Sequence, residues 1–145
     1  MRRDRVEGPK GGLITLVKDD LHFSEVRTDI DVKCIAAELR LKDFTVKIFN
    51  VYIPPGKNLN KSLMDQFSVK YKTVIVGDLN AKSKMWGSDT SDERGRVLEE
   101  FLEQSSAVVI NTGQPTYQHR SGSQSHLDVA IVSIVTWPRE LAGLR

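Results

Sequence analysis

Residues 73–80, TVIVGDLN, limit the folds open to this chain more than any other stretch. Three β-branched residues, Val74, Ile75 and Val76, run into Gly77. An unbroken apolar run of this length, bounded by Lys72 and Gly77, is the pattern of a strand covered on both faces, and such a strand needs material layered on each side of its sheet. Asp78 and Asn80 then follow at a spacing of two. An isolated buried carboxylate is costly, so Asp78 has to be solvated, hydrogen-bonded or charge-paired. Strand exits are also where α/β folds place ligands. On this motif alone, two readings weigh equally: Asp78 and Asn80 cap the loop NAKSKMWGS through its backbone, or they hold a ligand.

The remaining segments supply the layers. GGLITLVKDD and LHFSEVR read as strands, the first opened by a turn signal and the second alternating. VKCIAAELRLKDFTVKIFNVYIPP reads as a β-hairpin turning at Lys42 and Asp43 and closed by Pro54 and Pro55, which cannot continue a ladder. NLNKSLMDQF offers Asn60 as a cap and sets Leu63, Met64 and Phe67 on one face of a short helix. A second helix is expected from Gly95 to Ser105, with Val97, Leu98, Phe101 and Leu102 inward and Glu99, Glu100 and Glu103 outward. AVVIN is the next buried strand, GQPTYQHRSGSQS a loop and HLDVAIVS a last strand. Strands with two helices between them indicate an α and β chain, with sheets layered under outer helices.

Composition narrows the class. With 145 residues the chain suits one domain spanning 1–145. Apolar residues at 39% and charged residues at 28% fit neither a disordered nor a membrane-spanning chain. No apolar run approaches the roughly 20 residues of a membrane helix, and the opening MRRDRVEGPKGG lacks the apolar core of a signal peptide. A net charge of +2 leaves the partner open, because a basic cleft can sit on a nearly neutral protein. The single cysteine, Cys34, excludes an internal disulfide and a cysteine-based zinc cluster and suits an intracellular, reducing compartment.

Two further residues join the candidates. Tyr52 ends the second hairpin strand as Asp78 ends its own, so the two share a rim if their strands share a sheet and direction; a tyrosine there otherwise packs with its hydroxyl in water. Asp128 reads as an acid inside a buried strand, two residues after His126, and the pair serves either as a structural hydrogen bond or as an acid that orients another imidazole.

GDLN followed by WGS, then RG ahead of a helix, PTY and a late LDVAIVS resembles the endonuclease/exonuclease/phosphatase superfamily, and within it the apurinic-type endonuclease domain of non-LTR retrotransposons. VYIPP and GGLITLV fit the same order, so the resemblance runs from about Arg3 to Ser133. It implies a deoxyribonuclease-like four-layer α/β/β/α sandwich, Mg2+ or Mn2+ as cofactor, DNA as partner, and hydrolysis of a phosphodiester by phosphoryl-transfer chemistry. On that resemblance Asp78 aligns or deprotonates the attacking water, Asn80 holds the scissile phosphate or the surroundings of the metal, Tyr52 bonds the phosphate, and Asp128 orients the family's histidine. Arg94, ahead of the helix, is a substrate-binding candidate or a solvent-facing residue. Trp86 is expected to pack, and Lys82 and Lys84 either neutralise phosphate or line a wet loop. A retrotransposon role implies a nuclear location.

The family pattern also contains an early strand ending in a metal-binding Glu and a closing Ser-Asp-His motif. Neither has a counterpart between Met1 and Arg145, and His22, His119 and His126 do not stand where the family places its histidine. The expectation is therefore a domain incomplete at both ends, with its metal ligands unassigned and little or no activity, since a cooperating catalytic set loses most of its rate with one member. The alternatives are a non-catalytic remnant that binds nucleic acid or protein, and another phosphoesterase of the superfamily.

Overall fold

The computed structural model of the chain describes residues 1–4, 12–67 and 72–134. They form β1 (Arg2–Asp4), β2 (Gly12–Ile14), β3 (His22–Val26), β4 (Lys33–Arg40), β5 (Thr45–Tyr52), α1 (Lys61–Met64), β6 (Thr73–Asp78), a 3-10 turn (Lys84–Trp86), α2 (Glu93–Gln104), β7 (Ala107–Val109), β8 (Tyr117–Gln118), β9 (Gln124–Ser125) and β10 (Asp128–Ser133). Six strands make one sheet in the order β3-β4-β5-β6-β10-β7; β1 with β2 and β8 with β9 form two small ribbons. The turn signal at Gly11 and the tail after Ile134 lie outside the described residues.

The expected hairpin is β4 with β5, fully antiparallel from Lys33↔Tyr52 to Arg40↔Thr45 and closed where Leu41 N–H donates to the Phe44 carbonyl at 2.8 Å. After the Pro54–Pro55 stop the chain crosses one face of the sheet through α1, capped by the Asn60 side chain, and returns as β6 parallel to β5. On that face Phe49, Val51, Ile75, Val129 and Ile131 meet Leu63, Met64 and Phe67 from the α1 segment and Leu98, Phe101 and Leu102 from α2. Phe49 and Phe67 pack edge to face, with centroids 5.4 Å apart. Gly77 lets β6 close against β5: a Cβ there would lie 1.9 Å from the Val51 carbonyl oxygen, and its φ of +143° is one that side chains resist.

The opposite face carries the β1–β2 ribbon over β4 and β5. The Asn50 side chain ties it down by donating to the Ile14 carbonyl at 3.0 Å and to Thr15 Oγ1 at 3.1 Å. Ile35, Ala37 and Val46 are buried there, whereas Val74 and Val76 of β6 are only partly covered among the described residues. Helices over a central sheet make the expected mixed α/β chain; of the four layers the resemblance implied, the described residues show the helices, the six-stranded sheet and, beyond it, the β1–β2 ribbon.

Several local expectations need correction. The second helix starts at Glu93 rather than Gly95, because Asp92 is the cap and accepts the Gly95 N–H at 2.7 Å. Glu99 does not point outward; it accepts hydrogen bonds from the hydroxyls of Ser83 and Ser91. The strand expected to be buried at AVVIN is β7, at the edge of the sheet with Val108 exposed, and the loop expected over GQPTYQHRSGSQS contains the β8–β9 ribbon. The last strand begins at Asp128, so His126 lies outside it.

Candidate active site

The register of the sheet assembles the site. Tyr52, the last residue of β5, pairs with Asp78, the last of β6, in the parallel ladder. Asp78 pairs with Asp128, the first residue of β10, in the antiparallel ladder. Because directly opposed residues on neighbouring strands project from the same face, the three side chains form one row across the rim. Lys33, opposite Tyr52 at the start of β4, extends that row by one strand. Together with Gly12, Leu13 and Asn50 they line a cleft of about 240 Å³ beneath the β1–β2 ribbon. A larger cavity of about 390 Å³ lies at the other end of β3–β5, around His22, Glu38 and Arg40, and contains none of the row. Convergence of chemical groups, rather than size, places the candidate site at the smaller cleft.

Asp78 is half-buried and held from behind. Asn80, in a left-handed conformation with φ 46°, donates its backbone N–H to Asp78 Oδ1 at 2.9 Å, and its side-chain amide donates to the Ile53 carbonyl at 3.1 Å. Burial pushes the Asp78 carboxyl above the ordinary carboxylate range; the Asn80 N–H opposes this, Asp128 adds to it, and Arg94 opposes it. Asn80 thus fixes the loop and the carboxylate from behind the cleft that Asp78 lines.

Arg94 is also relocated. Its Nε donates to the Asn80 carbonyl at 2.7 Å, Nη2 to Leu79 at 2.7 Å and Ile53 at 3.3 Å, and Nη1 to Lys57 at 2.6 Å and Pro55 at 3.5 Å. A guanidinium has five N–H groups, and these five carbonyls engage all of them. Arg94 therefore clamps the exits of β5 and β6 together, its donors turned to backbone carbonyls and its side chain partly buried. Gly95 brings it there, since a Cβ at that position would sit 1.8 Å from the Lys82 carbonyl oxygen.

Asp128 is exposed at the rim rather than inside a buried strand. Thr116 Oγ1 accepts the backbone N–H groups of Leu127 and Asp128, both at 3.1 Å, which explains the threonine of PTY. His126 bonds the Gly113 carbonyl at 3.0 Å and His119 bonds Ser125 Oγ at 2.6 Å, so neither pairs with Asp128. Trp86 is fully buried, its Nε1 donating to the Ala81 carbonyl at 3.1 Å, as expected of a packing residue. Lys82 and Lys84 are exposed.

Lys33 is the cleft residue that sequence reasoning missed. Its signal was present: alternation places it on the face of Ile35 and Ala37, a lone cation in an apolar row.

The donor set for a metal is partial. Among the described residues no three His, Cys, Asp or Glu side chains converge; Asp78 and Asp128 do so as a pair. Magnesium commonly takes one or two carboxylates and completes its shell with water and phosphate oxygens. The pair suits such an ion, and a cation would relieve the repulsion that helps raise the Asp78 pKa.

Comparison with known proteins bears on the family and the fold. The family model described as endonuclease-reverse transcriptase matches residues 46–142. The RNA-directed DNA polymerase from mobile element jockey of Drosophila melanogaster is 29% identical over 115 residues, covering 74% of this chain and 12% of that protein. The probable RNA-directed DNA polymerase from transposon X-element of the same species is 30% identical over 132 residues, covering 84% and 14%. This chain thus spans only a small part of the curated relatives it matches. Among solved structures, the endonuclease domain of TRAS1, a telomere-specific non-LTR retrotransposon, shares the fold with a TM-score of 0.66 and 24% identity, over 79% of this chain and 54% of that one.

Proposed function

The chain belongs to the endonuclease-reverse transcriptase family, and from that premise we propose that the cleft at Tyr52, Asp78 and Asp128 binds the backbone of nuclear DNA and hydrolyses a phosphodiester there. The observation that carries the reading is the row itself, a phenol and two carboxylates brought side by side from three strands. Asp78 aligns the attacking water and takes up its proton, and Asn80 holds its orientation. Tyr52 donates from its hydroxyl to the phosphate and stabilises charge as it develops. Asp78 and Asp128 would hold a Mg2+ or Mn2+ ion, which supplies charge stabilisation at the phosphate oxygens when bound. Arg94 and Thr116 keep the three strand ends in register.

A second reading, DNA binding without efficient cleavage, is favoured by one observation: among the described residues no imidazole lines the cleft. Nicking of supercoiled plasmid in Mg2+, beside an Asp78→Ala control of verified fold, decides between them. Nicking by the parent alone supports hydrolysis. Folded protein that binds DNA in a salt-dependent way without nicking supports the binding module. Folded protein that neither nicks nor binds overturns both.

A further inference from the structure

Among the described residues, three buried side-chain polar atoms have no hydrogen-bond partner: Lys33 Nζ, Ser88 Oγ and Ser105 Oγ. Only Lys33 is charged, and only Lys33 lines the cleft. The described salt bridges join Lys47 to Glu38, Lys57 to Asp31 and Lys61 to Asp65; none involves Lys33. An ammonium has three donors and no acceptor, and withdrawing it from water without a partner destabilises the fold. A polar group left in that state calls for a reason.

Its place in the row supplies one. From β4 to β10 the rim reads Lys33, Tyr52, Asp78, Asp128, so the cation and the nearer carboxylate flank the phenol on either side. With neighbouring strands about 4.8 Å apart, their backbones stand on the order of 10 Å from each other. Among the described residues no salt bridge joins the two, and the cleft of about 240 Å³ that they line with Tyr52 has the volume for one tetrahedral oxyanion.

We infer that Lys33 is the anion-binding arm of this cleft, its Nζ donating to a non-bridging oxygen of a DNA phosphate placed over Tyr52. The assignment rests on the DNA reading above and adds to it a residue whose contribution is binding and orientation of the phosphate. Lysine serves here as a point charge, without the forked geometry of arginine.

The test measures binding of a fluorescent DNA duplex to the full chain by anisotropy across a salt series without divalent cation. It compares the parent with Lys33→Met, Lys33→Arg and the exposed control Lys84→Met. Titration with inorganic phosphate, followed by NMR at Tyr52 and residue 33, runs in parallel. Removing one phosphate contact should lower the slope of log K against log salt by about 0.9 and weaken binding near 0.1 M salt by on the order of tenfold. Lys33→Arg should retain most of both. Lys33→Met should be at least as stable to urea as the parent, because it removes an unpaired buried charge; a clear loss of stability would mark a structural lysine and overturn the inference. DNA binding with unchanged slope and affinity in Lys33→Met overturns the role of Lys33 and leaves the DNA reading standing. Phosphate binding that depends on Lys33, in a chain that ignores DNA, overturns the DNA reading and leaves the anion arm standing. Absence of both overturns both.

Discussion

Replacing Arg94 tests whether the strand exits are held by one side chain. Arg94→Met keeps the aliphatic stem and deletes every donor, leaving five carbonyls to find water. Three of the bonds are short, at 2.6 to 2.7 Å, and two are long, at 3.3 and 3.5 Å. A protein hydrogen bond contributes about 1 kcal/mol net. The three short bonds therefore set the expected loss at about 3 kcal/mol, a large share of the roughly 5 to 15 kcal/mol typical of a domain. Arg94→Lys keeps the charge but presents a compact ammonium that meets only part of the carbonyl cluster, so it should recover about 1 kcal/mol of that loss. Urea unfolding of the parent and both variants gives the two differences. A second readout links scaffold to site: Arg94 holds the Asp78 pKa down, so Arg94→Met should raise it further, as followed by NMR titration of the carboxyl carbon. A loss below about 1 kcal/mol in Arg94→Met, or an unmoved Asp78, would refute the clamp.

The remaining expectations concern the same strands. Gly77→Ala would drive a methyl to within 1.9 Å of the Val51 carbonyl oxygen at a φ that disfavours side chains; a cost of at least about 3 kcal/mol is expected, seen as a lowered thermal midpoint by circular dichroism, and a near-parental midpoint would show that β5 and β6 can part cheaply. Asp78 holds its proton more tightly in the folded state than in the unfolded chain. Between the ordinary carboxylate value and the raised folded value the native state binds more protons, so the Asp78 contribution to stability falls as pH rises through that window. Asp78→Asn should remove this decline and be more stable than the parent at neutral pH; urea midpoints that track the parent at every pH would contradict it.

The elements were largely legible because their signals are local. The apolar run of β6, the alternation and proline stop of β4–β5, the Asn60 cap and the Leu98, Phe101 and Leu102 stripe each lie within a few consecutive residues, where backbone geometry alone dictates the pattern. Tyr52 and Asp78 could be paired conditionally, because both end strands, but their shared rim required β5 and β6 to be parallel, and only the crossover through α1 makes them so.

Where sequence reasoning failed, the deciding contacts span long separations. Arg94 reaches carbonyls 14 to 41 residues away, so nothing local distinguishes it from a surface arginine at a helix start. Glu99 follows the pattern of an exposed face until Ser83 and Ser91 are folded beneath it, and Lys33 becomes a cleft residue only once the ribbon lies over β4. By itself the sequence determined the two helices, most strands of the six-stranded sheet and which residues had unusual side chains at strand ends, since hydrophobic periodicity and capping act over one or two turns of chain, whereas the short ribbons β1–β2 and β8–β9 carry too few residues for such a pattern. The tertiary structure alone decided which of those side chains meet, because register and crossover direction set the row of Lys33, Tyr52, Asp78 and Asp128, and both are properties of paired strands that no single segment contains.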